Sequence, residues 1–87
     1  RRFSDRLAGL LQALVQEHEA FERLSEEARF NETLAERKRT ARRDRNLCAL
    51  KIEATLIEMG EVESADALRV LTFDRRIELL KTLLSQR

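Results

Sequence analysis

The chain contains no proline and only two glycines, Gly9 and Gly60, in 87 residues. These are the residues that interrupt helices most reliably. Their scarcity, in a sequence dominated by Leu, Ala, Glu and Arg, predicts long helices with few breaks and an all-α fold.

Apolar residues recur at three- and four-residue spacing through Phe3, Leu7, Leu10, Leu11, Leu14, Val15, Phe21, Leu24 and Ala28. This is one stripe along a helix over about residues 3–29, with Ser4 or Asp5 capping its start. The polar cluster Arg29-Phe30-Asn31-Glu32-Thr33 interrupts the stripe. Asn31 supplies a cap for a second helix over about 32–59, which Gly60 closes by taking the left-handed conformation; one continuous helix through residue 30 is the alternative. Residues 34–46 offer only Leu34, Ala35 and Ala41 as apolar groups. Residues 47–59 carry Leu47, Leu50, Ala54 and Ile57 on one face and Cys48, Ile52, Leu56 and Met59 on others, which predicts a central position covered on more than one side. A third helix over about 64–86 starts at Ser64 and runs through Ala65, Ala67, Leu68 and Leu71. Thr72 or Asp74 restarts it at a bend, where the stripe shifts to Phe73, Ile77, Leu80, Leu83 and Leu84.

Short connections favour antiparallel neighbours. The expected architecture is a single helical domain over residues 1–87, either a three-helix antiparallel bundle or an extended helical hairpin with coiled-coil character. A chain of this size buries only about 60–65% of its unfolded surface, so self-association is expected as well. Arg1 in place of an initiator Met reads as an excised domain or a processed chain. No apolar run approaches the roughly 20 residues that cross a bilayer, which points to no membrane and to an intracellular location, cytoplasmic or nuclear.

Residues 36–45, ERKRTARRDR, hold six cations and two anions. When the first two helices fold back on each other near residue 31, position 30−k of one lies beside about 32+k of the other. That register sets Glu17, Glu19, Glu22, Glu26 and Glu27 beside the arginines of the basic run, and the expectation is that the two sets pair. Exposed pairs contribute only about 0–1 kcal/mol each, but matched signs suppress wrong registers and wrong partners.

The alternative is a nucleic-acid contact through Arg37, Lys38, Arg39, Arg42, Arg43 and Arg45, which would bind phosphates in a salt-dependent way. Over Asn31-Glu32-Thr33-Leu34-Ala35-Glu36-Arg37-Lys38-Arg39 the chain resembles the basic region of basic leucine zippers, with an Asn, an Ala and Arg residues at related spacing. It departs from that pattern at Leu34, Glu36 and Asp44, and Gly60 interrupts the chain before leucine heptads could form a zipper. A net charge of +1 is also low for a dedicated nucleic-acid binder.

His18 falls on the stripe of the first helix and reads as a half-buried helix-face residue. With no second His and one Cys, the chain offers no recognisable metal set. Cys48 reads as a small buried hydrophobe. No phosphate-binding loop, nucleophile motif or carboxylate pair stands out, so no enzymatic activity, cofactor or small-molecule substrate is expected. The segment Phe73–Leu84 is more apolar than one stripe requires, and something else is expected to cover it. The functional expectation is a protein-interaction or oligomerisation module of a regulator, adaptor or chaperone. Its partner would be itself or an amphipathic helix, met through Leu10, Leu14, Phe21, Phe73, Ile77, Leu80 and Leu84.

Overall fold

A computed structural model describes residues 2–86, which form helices and no strand. Helix α1 spans Arg2–Ala28. After a turn, Asn31 caps a one-turn 3-10 helix over Glu32–Leu34: its Oδ1 accepts from the Thr33 backbone N–H at 3.1 Å and from the Thr33 hydroxyl at 2.6 Å. Helix α2, Ala35–Glu58, follows directly. It ends as the sequence suggests. Gly60 takes φ +84, its N–H donates to the Ile57 carbonyl, and the Glu61 N–H donates to the Leu56 carbonyl. These two bonds satisfy the Leu56 and Ile57 carbonyls near the end of α2 around a left-handed residue.

The remaining chain departs from the expected single helix. Helix α3, Val62–Arg69, begins before Ser64, so Ser64 lies inside the helix and does not cap it. Helix α4 is Phe73–Ser85. The break between them has two causes. Thr72 is extended (ψ 161), and its hydroxyl accepts from the Arg75 N–H to start α4. Arg76 reaches back from α4, donating to the carbonyls of Leu71 and Arg69 at 3.1 and 3.3 Å, and so satisfies the end of α3. At the other end of the molecule, Ser4 and Asp5 lie within the first turn of α1 and do not precede it.

Helices α1 and α2 run antiparallel. Arg6 pairs with Glu58, and Arg45 meets His18, a register one or two residues further along α2 than charge matching suggests. The core joins all four helices through Leu7, Leu11 and Leu14 of α1, Ile52 and Leu56 of α2, Ala65 and Leu68 of α3, and Ile77 and Leu80 of α4. Glu53, buried on α2, is held by the Arg69 guanidinium of α3 at 2.7 Å, which raises the pKa of Arg69 through that bond and the attendant charge. The molecule is elongated, 43 × 23 × 19 Å.

Candidate interaction face and its polar clamp

Where α1, α2 and α4 meet, the basic run does something other than pair with glutamates. The Arg45 guanidinium lies between two rings, 4.1 Å from the centroid of Phe21 on α1 and 3.9 Å from that of Phe73 on α4. Lys38 and Arg42 also stand over Phe21, at 5.9 and 5.6 Å, and Arg76 stands over Phe73 at 4.6 Å. A guanidinium is weakly hydrated and planar, so an aromatic face competes well for it against a solvated carboxylate. Burial, together with the nearby Arg42 and Arg76 charges, lowers the pKa of Arg45, and Glu22 opposes the shift. The group remains a cation at any physiological pH.

His18 completes this clamp. Its ring stacks on Phe73 at 5.6 Å, and Nδ1 lies 3.4 Å from Arg45 Nη1. A guanidinium only donates, so Nδ1 accepts and the ring proton is assigned to Nε2. Nε2 then donates toward Asp74 Oδ1 at 3.1 Å and Glu22 Oε1 at 3.2 Å. A cation, an imidazole and two carboxylates thus form one chain across three helices. The His18, Glu22 and Asp74 ligand atoms, all within 4.8 Å of one another, would also suit a metal by spacing alone. Coordination through Nε2, however, requires the proton on Nδ1, where it would point at the guanidinium, whereas a ligating imidazole gives that proton to an acceptor. The hydrogen-bond chain is the arrangement the geometry favours.

This corrects the expected pairing of the basic run. Among the described residues, no ion pair joins the glutamates of 17–28 to the cations of 36–45. Arg39 pairs with Glu36 of its own helix. Arg37 lines a shallow groove with Glu17, Leu24 and Asp44. At 100° per residue the six cations spread around α2, with Lys38 and Arg45 turned toward α1 and Arg39 and Arg43 on the opposite, exposed side. The six therefore do not all share one face of the helix.

The residues expected at a partner interface are largely used within the chain. Leu14, Ile77 and Leu80 are core residues, with Leu14 1% and Leu80 0% exposed. Leu10 and Leu84 pack against the core, and Phe73 does so while holding Arg45. Phe21 is the other jaw of the clamp. Each belongs to a stripe that faces another helix of the same molecule.

Besides Phe3, Phe30, Val62 and Val70, which are exposed outside α2, a row of exposed apolar side chains runs along α2. Leu47, Leu50 and Ile57 of α2 are 48%, 59% and 46% exposed, and Ala54 between them is exposed too. They lie three, four and three residues apart, on the side of α2 opposite Ile52, Leu56 and Cys48. Two grooves flank them. One, of about 230 Å³, is lined by Asn46, Ala49, Leu50, Glu53, Phe73 and Arg76; the other, of about 260 Å³, by Arg6, Leu10, Lys51, Ala54, Thr55 and Glu58. The C-terminal half of α2 is therefore covered by α1 and by α3, in keeping with a position covered on more than one side, while the face of Leu47, Leu50, Ala54 and Ile57 stays open. The signal for this face is present in the sequence as a second stripe on an already partnered helix. Comparison with protein-family models, curated proteins and solved structures found no match for this chain. No described helix is long and apolar enough to cross a membrane.

Proposed function

We propose that this chain is an antiparallel helical bundle, built on the α1–α2 hairpin, that works as a protein-interaction module. It takes an amphipathic helix on the outer face of α2. The observation that carries the reading is the pair of opposed apolar faces on residues 47–58: one is consumed by the core, and the other remains open to solvent along three turns. A monomer needs only the first. Half-exposed side chains of this kind contribute on the order of 1 kcal/mol each when covered, which supports a reversible contact more than an obligate one. The flanking charges of Arg43, Lys51 and Glu58 set orientation and exclude mismatched partners.

The test is a titration of the isotopically labelled chain with amphipathic helical peptides, one of them residues 35–58 of this chain. The amide resonances of Leu47, Leu50, Ala54 and Ile57 are expected to move, while those of Leu14 and Leu80 stay in place. Shifts confined to residues 37–45 on addition of duplex DNA, with none from any peptide, would replace this reading with nucleic-acid binding.

A further inference from the structure

Resting on that reading, we infer that the occupant of the outer α2 face is a second copy of this chain, with the two α2 helices antiparallel about Ile52. The spacing of the stripe is the same read in either direction, so reversing one copy superposes apolar on apolar. Leu47 then faces Ile57 of the second copy, and Leu50 faces Ala54. The small Ala54 lets the two helices approach at the centre, and the groove it lines receives the larger Leu50.

Charge fixes the direction. On the outer side of the basic half lie Arg39 and Arg43, while residues 53–66 hold five anions and no cation, of which Glu53 is buried against α3. Arg6 and Arg69 offset part of the acidic end. An antiparallel pair sets the basic half of each α2 beside the acidic end of the other. Arg43, exposed and in line with the stripe, then lies near the last carbonyls of the second α2, where the helix dipole favours a cation. A parallel pair would stack basic on basic and acidic on acidic, which opposes association.

The experiment uses the full chain with Cys48→Ser. Sedimentation from about 10 µM to 1 mM, the range of weak association, is expected to show the mass rising from 10.2 kDa toward twice that value. Leu50→Glu is expected to weaken the association by on the order of tenfold or more while retaining its helical circular dichroism. For orientation, a Leu47→Cys chain is mixed with an Ile57→Cys chain under mild oxidation. The mixture is expected to cross-link far more than either variant alone, because in the antiparallel pair the two copies of residue 47 are about 15 Å apart along the axis, beyond the roughly 7 Å span of a disulfide. Cross-linking of each variant alone, as readily as the mixture, would overturn the orientation. A mass of one chain at every concentration would overturn the second copy as occupant. In that case, peptide-induced shifts at Leu50 and Ala54 would leave the interaction face standing, and their absence would remove both.

Discussion

The two halves of α2 solve opposite problems. The N-terminal half, residues 35–46, has almost no apolar side chain to bury and reaches the core through cations laid over Phe21 and Phe73. The C-terminal half, residues 47–58, has apolar side chains on two faces and can bury only one of them within the molecule. A helix short of apolar groups thus borrows aromatic rings from its neighbours, whereas a helix with too many presents the surplus outward. The first arrangement stabilises the chain; the second gives it something to bind with.

The contrast is broken most severely in the core. Leu80→Ala removes a fully buried side chain by which α4 enters the shared core, and is expected to cost about 2–5 kcal/mol in denaturant unfolding. Leu80→Glu should unfold the chain outright. In the basic half, Arg45→Ala removes the cation shared by two rings and leaves the His18 Nδ1 without its donor. The expected loss is about 1–3 kcal/mol. Arg45→Met, which keeps the apolar stem, should recover part of it; full wild-type stability in Arg45→Ala would mean that the clamp is ornamental.

A smaller effect sharpens the boundary between the halves at Cys48. Burial, reinforced by the Glu17 carboxylate, pushes its thiol pKa up, Lys51 opposes the shift, and Asp44 adds to it. Iodoacetamide should therefore label Cys48 more slowly than a free thiol at the same pH, with the labelling midpoint displaced to the alkaline side. Because the folded value lies above the unfolded one, the corresponding stability is fully present below the unfolded thiol pKa and falls as pH rises through the folded value.

Much of the fold is legible in local chemistry. Asn31 and Gly60 mark helix ends because an Asx side chain and a left-handed glycine act within a few residues of themselves, and both do so here. The α1 stripe is read correctly because a single face of one helix meets the core. The break at residues 70–72 is only partly visible. Thr72 is a recognisable cap, but Arg76 closing the end of α3 depends on the angle at which α4 returns. Least legible is the clamp. Sequence spacing brings glutamates beside arginines, yet the choice between carboxylate and ring depends on Phe73, 28 residues beyond Arg45, and on Asp74, 56 residues beyond His18. Those partners are set by tertiary packing. The outer stripe of α2 is written plainly in the sequence, but only the position of the other helices distinguishes a surface from a core.

Thermal unfolding of Leu50→Glu in dilute solution, beside the unaltered chain, tests most directly whether the two faces of α2 have separate duties. The expected result is a stability within about 0.5 kcal/mol of the parent, as for an exposed position outside the monomer's core. A loss as large as that of Leu80→Ala would contradict it, because Leu50 would then belong to the interior and α2 would have no face left to offer.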